Sequence, residues 1–168
     1  MTLTEEVYIG GNYEHRKVVG SIDIRIGKRD LNIELNKVRD ITLHVGYWRK
    51  ANSIHDWFVE NIADGVDNCE KVYVSHSKLL ELKAACISTL ETLKTCTKKV
   101  ETRKDFQDKP FECTSYDTSG VDMELNPLAG FFFGSTEVDD WFVQDLEDTI
   151  EIVDSTNEGG EYYYEASW

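Results

Sequence analysis

Gly46-Tyr47-Trp48-Arg49-Lys50-Ala51-Asn52-Ser53-Ile54-His55-Asp56-Trp57-Phe58-Val59-Glu60-Asn61 is the stretch whose reading decides the fold. At 100° per residue, Tyr47, Trp48, Ala51, Ile54, Trp57, Phe58, Val59 and Ile62 share one broad apolar arc. Asn52, Ser53, Asp56, Glu60 and Asp64 fall opposite. The spacing predicts an amphipathic helix, with His55 inside the arc, Lys50 on its flank and Arg49 toward the polar side. If the helix starts at Gly46, these two cations oppose the positive end of its dipole. That conflict is worth about 0.3 to 1 kcal/mol each, and a bound anion would relieve it. If the helix runs through Gly46, the pair is ordinary surface charge.

Two further helices are expected downstream. From about Ser77 to Lys98, Leu79, Leu82, Cys86, Leu90 and Leu93 form one stripe. From Thr136, read as an N-cap with Asp139 three residues on, to about Val153, the apolar face is Val138, Phe142, Leu146, Ile150 and Val153, with Trp141 and Ile152 alongside. Asp56-Trp57-Phe58-Val59 recurs as Asp140-Trp141-Phe142-Val143, a four-residue match that reflects similar packing demands rather than a duplicated unit.

Upstream, Ile22, Ile24 and Ile26, the turn Gly27-Lys28-Arg29-Asp30, and Leu31, Ile33 and Leu35 predict a β-hairpin. Val7-Tyr8-Ile9 is a candidate third strand. Residues 37–45 fit both periods, and helix is preferred, entered through Asn36. Val100 to Gly120 loses apolar periodicity and reads as an irregular connection. Gly130-Phe131-Phe132-Phe133-Gly134 suggests a short aromatic strand. The expectation is an α+β domain dominated by three amphipathic helices, with an N-terminal β-hairpin and that aromatic strand. The divisions are a hairpin extension at 1–36, a mainly helical core at 37–153, and an acidic, flexible tail at 154–168.

A chain of 168 residues is long enough for one well-cored domain. No apolar run approaches the roughly 20 residues that span a bilayer, and the start lacks a signal peptide's basic and apolar regions, so the cytoplasm is expected. Cys69, Cys86, Cys96 and Cys113 have no zinc-ligand spacing and read as free thiols. The net charge of −14 is unevenly placed: residues 1–109 hold 18 basic against 17 acidic side chains, whereas the last 59 residues hold 15 acids and no Lys or Arg. This acidity disfavours direct nucleic-acid binding and suits either a solvated face or a basic groove on a protein partner.

Several pieces together resemble a widespread family of small, functionally uncharacterised proteins of bacteriophages and prophages. They are Gly46-Tyr47-Trp48-Arg49-Lys50-Ala51-Asn52, Ile54-His55, Trp57-Phe58-Val59, Gly65-Val66-Asp67 with Cys69, Tyr73-Val74-Ser75, Gly130-Phe131-Phe132-Phe133-Gly134-Ser135-Thr136, and Asp145-Leu146 with Thr149-Ile150. They cover about the central two-thirds of the chain. The resemblance implies a phage origin, and it supplies no chemistry.

Catalytic signals are sparse. His44 and His55 are eleven residues apart, and neither a phosphate loop, a nucleophile elbow nor a Cys-x-x-Cys pair is present. His55 with acidic residues leaves a metal-dependent phosphoesterase or nucleotide hydrolase as the alternative, while a hydrogen-bonded core histidine is the commoner role. The favoured reading is a non-enzymatic phage accessory protein without cofactor or metal. It would inhibit or sequester a host component in anti-defence or host takeover. Tyr47, Trp48, Arg49, Lys50, His55, Trp57 and Phe132 are candidates for binding an anionic or nucleotide-like small molecule, since cations meet phosphate and rings stack on a base. Asp139, Asp140, Asp145, Glu147, Asp148 and Tyr163 are candidates for a host protein's basic groove. For the aromatic set the competing role is core packing. No membrane partner is expected, and a homo-oligomer is left open.

Overall fold

The computed structural model describes residues 1–8, 21–26, 29–34, 38, 40–105, 107–129 and 135–167. The elements run β1 (Thr2–Tyr8), β2 (Ser21–Ile26), β3 (Arg29–Glu34), β4 (Asp40–Tyr47), α1 (Asn52–Asn61), β5 (Val72–Val74), α2 (His76–Leu93), β6 (Thr97–Lys104), β7 (Pro110–Asp117), α3 (Asp140–Asp154) and β8 (Glu161–Glu165). Four strands form an antiparallel sheet in the order β4-β1-β8-β5, and β2-β3 and β6-β7 are separate hairpins.

The α+β class therefore fits, but dominance by three helices does not. The two ends of the chain supply the middle of the main sheet, with Leu3 opposite Tyr164 and Glu5 opposite Tyr162. β8 reads Glu-Tyr-Tyr-Tyr-Glu, and its alternation puts Tyr162 and Tyr164 into the core while Glu161 and Glu165 face water. The tail expected to be flexible is thus an interior strand as far as Glu165. Likewise β1, placed in an N-terminal extension by the sequence, joins the main sheet at its centre, where the side chain of Leu3 is fully buried.

Residues 40–47 are strand, not helix: β4 pairs with β1 from Tyr8–Asp40 to Thr2–Tyr47, and Trp48 N–H donates to the Met1 carbonyl. The central helix accordingly starts at Asn52 instead of Gly46. Gly46 faces α3 so closely that a Cβ there would meet the Ile152 side chain at 2.6 Å, so the strand and helix touch through the missing side chain. The supposed irregular connection contains β6 and β7. Their side chains are mostly polar, so little apolar alternation marks them, yet they pair over eight positions from Thr97–Asp117 to Lys104–Pro110. The aromatic strand expected at 130–134, the 27–28 turn and the Asn36 cap lie outside the described residues.

The two long helices follow their stripes with shifted ends. α2 is capped by Ser75, whose side chain accepts from Lys78 N–H, and stops at Leu93. α3 is capped by Asp139 rather than Thr136, through hydrogen bonds from Trp141 and Phe142 N–H. Leu79, Leu82, Cys86, Leu146 and Val153 from these helices meet Ile54 and Phe58 of α1 and Leu3, Val74 and Tyr162 of the sheet in one core. Two buried threonines are satisfied in both roles. Thr149 Oγ1 donates to the Asp145 carbonyl and accepts from Trp48 Nε1 at 2.9 Å, and Thr89 Oγ1 donates to the Ala85 carbonyl and accepts from Leu125 N–H.

Candidate functional site

The bend between β4 and α1 carries Trp48, Arg49, Lys50 and Ala51. Trp48 is buried and anchored on Thr149, while the two cations that follow stand in solvent. Lys50 has φ of 64°, a left-handed conformation that costs a non-glycine residue about 1 kcal/mol or more. Ala51 occupies the N-cap and offers no side-chain acceptor, so the positive end of α1 opens beside two positive side chains. Asn52 Nδ2 donates to the carbonyls of Leu128 at 2.8 Å and Ser135 at 3.3 Å, tying the segments before and after 130–134 to this helix start.

Opposite stands the first half of α3. Together the two elements enclose a cleft of about 300 Å³ lined by Arg49, Lys50, Asn52, Ser135, Glu137, Asp139, Trp141, Phe142 and Asp145. Its charged groups divide by occupation. Arg103 bridges Glu137 (2.6 Å) and Asp139 (3.1 Å), and Asp139 also caps α3, so both carboxylates are engaged. Asp145 is not: among the described residues its carboxyl makes no hydrogen bond or ion pair. Burial, with Asp148 and Asp139 adding repulsion, pushes it up to about 7. Arg49 and Lys50 are likewise without an ion-pair partner among the described residues. Trp141 lies four residues before Asp145 on the same face of α3, 66% exposed. A rim of two cations, an exposed indole and an unengaged carboxyl can hold a small polar ligand with a planar part and an anionic part.

The sequence candidates distribute unevenly about this cleft. Arg49 and Lys50, from the ligand set, meet Asp139 and Asp145, from the partner set. Tyr47 ends β4 with an exposed ring, and Trp57 is half-buried, edge-on to Phe58 at 5.5 Å. Phe132 lies outside the described residues. Asp140 accepts from Thr114 N–H at 2.6 Å, and Asp148 accepts from Gln144 at 2.7 Å. Glu147 lines a different groove of about 360 Å³ between α2, α3 and Tyr116. The ring of Tyr163 lies under Lys71 Nζ at 4.4 Å and edge-on to Tyr73. Asn52 and Trp141 enter the cleft without having been singled out. Trp141 had a signal, because it sits beside the Val138, Phe142 and Leu146 stripe rather than on it.

His55 lies away from the cleft lining, 4% exposed. Its Nδ1 is 2.6 Å from the Tyr164 hydroxyl and its Nε2 is 3.2 Å from Asp67. Burial, with Asp67 and Cys69 nearby, raises Tyr164 far above a phenol's ordinary range, so its hydroxyl keeps its proton and is hydrogen-bonded to Nδ1, with the donor set by the imidazole tautomer. Nε2 faces the Asp67 carboxylate at 3.2 Å as a close electrostatic contact. This chain ties α1, the segment after it and β8 together. Burial pushes the Cys86 thiol up to about 12, leaving it unreactive.

Among the described residues no three His, Cys, Asp or Glu side chains are grouped to hold a metal ion, and no helix is long and apolar enough to cross a membrane. Comparison with protein-family models, curated proteins and solved structures found no match for this chain.

Proposed function

We propose that the protein is a non-enzymatic phage accessory protein that acts in the host cytoplasm by binding and sequestering a small, anionic, nucleotide-like host molecule in the cleft between α1 and α3. One observation carries this reading: Arg49 and Lys50, free of ion-pair partners among the described residues, line the same cleft as the exposed Trp141 ring. Two cations at a helix N-terminus suit a phosphate, and an indole face suits a base. A volume of about 300 Å³ fits a mononucleotide-sized molecule better than a polymer. The phage context rests on the sequence resemblance, and anti-defence or host takeover is the role such sequestration would serve.

The acidic face of α3 favours a second reading, docking on a host protein's basic groove. Asp140, Glu147, Asp148 and Glu151 are exposed there, and the helix has no basic residue in its last turn. The hydrolase alternative would need His55 to work on a ligand, and its two ring nitrogens face Tyr164 and Asp67.

Isothermal titration of the purified protein with mononucleotides, followed by chromatography of the recovered ligand, tests the proposal. Saturable binding weakened about tenfold or more in Arg49→Ala, with the nucleotide recovered intact, is expected. No binding, or steady conversion of the ligand, would overturn it.

A further inference from the structure

Within the cleft the Asp145 carboxyl makes no hydrogen bond or ion pair among the described residues. It is half-buried, its neighbours Asp139 and Asp148 are acids, and the donors closest in kind are already used: Arg103 by Glu137 and Asp139, Asn52 by the Leu128 and Ser135 carbonyls. Leaving a partly buried carboxyl unpaired is costly, and the cost disappears when a ligand brings donors to it. Trp141 stands one helical turn earlier on the same face, so a ring laid on the indole is within one turn of the Asp145 carboxyl. Arg49 and Lys50 lie across the cleft, where the other end of the same molecule would carry its charge.

The planar edge that suits this arrangement is set by donor count. An ionised carboxylate, the form Asp145 takes above about pH 7 and that two donated N–H groups favour, is acceptor-only and takes them in a fork. Guanine offers such a pair in N1–H and its 2-amino group. Adenine places a lone pair at N1 beside its amino group, and uracil flanks its single N–H with two carbonyls, so each sets an acceptor against the carboxylate.

We propose that the cleft selects guanine mononucleotides, with Asp145 forked onto N1–H and the 2-amino group, Trp141 stacked on the base, and Arg49 and Lys50 on the phosphate. This rests on the nucleotide-binding reading of the cleft and adds the identity of the base. Asp145 is a specificity residue here, and the same geometry accounts for a carboxyl without a partner among the described residues.

The experiment is titration of the full chain and of its Asp145→Asn and Trp141→Leu variants with GMP, IMP and AMP. GMP should bind at least about tenfold tighter than AMP, and IMP, which lacks the 2-amino group, should fall between them. Asp145→Asn should lose the preference for GMP over IMP while its melting curve still shows a folded protein. Trp141→Leu, at an exposed position, should fold and weaken all three ligands together. Equal binding of GMP and AMP, both lost in Arg49→Ala, would overturn the base assignment and leave the nucleotide-binding reading standing. Binding of none of the three would overturn both.

Discussion

Replacing Tyr164 by phenylalanine removes one oxygen from the centre of the fold and nothing else. The ring is buried, stacked on Phe58 with centroids 3.9 Å apart and planes 10° from parallel, and a phenylalanine keeps that contact. What goes is the hydroxyl 2.6 Å from His55 Nδ1, and with it that buried hydrogen bond. Removing one partner of a buried hydrogen bond costs about 1 to 3 kcal/mol. In a chain of this size each kcal/mol lowers the melting temperature by about 2 to 4 °C, so the expected fall is about 2 to 12 °C. Urea denaturation read by tryptophan fluorescence should show a lower midpoint with an unchanged slope. Tyr163→Phe is the internal control. It lies next in sequence on the opposite face of β8, half-buried, and should stay within about 0.5 kcal/mol of the parent. If Tyr164→Phe left the midpoint unmoved, or Tyr163→Phe lowered it further, β8 would not be seated in the register that opposes Leu3 to Tyr164.

Other perturbations follow from single contacts. Gly46→Ala drives a methyl into Ile152 and should cost about 1 to 3 kcal/mol; combined with Ile152→Ala, the loss in thermal unfolding should be less than additive, because the shortened side chain makes room. Asp145 has its folded pKa raised above the ordinary carboxylate value, so the folded state holds its proton more tightly than the unfolded chain. Its contribution to stability is therefore greatest below about pH 4 and is lost as pH rises toward about 7. Asp145→Asn should consequently raise the melting temperature more at pH 8 than at pH 5, and an equal shift at both would contradict the burial of that carboxyl.

How much of this was legible in the sequence depends on the range over which each element is specified. α2 and α3 bury stripes visible at a spacing of three and four, and their cores of Leu79, Leu82, Leu146 and Val153 could be read directly. The hairpin at β2 and β3 was equally local. β1 and β8 were not, since each is a short strand whose partner lies at the other end of the chain, and a pairing such as Leu3 with Tyr164 leaves no trace in either segment alone. In β8 the acids at Glu158, Glu161 and Glu165 and the glycines before it suggested a solvated tail, although Tyr162 and Tyr164 at a spacing of two were a strand signal in plain view. The irregular reading of Val100 to Gly120 failed because β6 and β7 hold few apolar residues to alternate.

The cleft was half visible. Arg49 and Lys50 drew notice through the charge conflict they create at a helix start, and that conflict survives with the start moved to Asn52. Nothing in local spacing joined them to Asp145 or Trp141, nearly a hundred residues later. The candidates Trp48 and His55 carry the residue types of a binding site and are buried, one on Thr149 and the other on Tyr164.

The most direct measurement is a nitrogen-15 correlation spectrum of the protein titrated with GMP, with the Trp141 indole resonance assigned through Trp141→Phe. A saturable shift of that indole together with the Lys50 and Asn52 amides, while the amides of Ile87 and Leu90 in the other groove stay still, is the predicted result. Resonances at Trp141, Lys50 and Asn52 that remain fixed as GMP is added would contradict the assignment of the cleft as the ligand site.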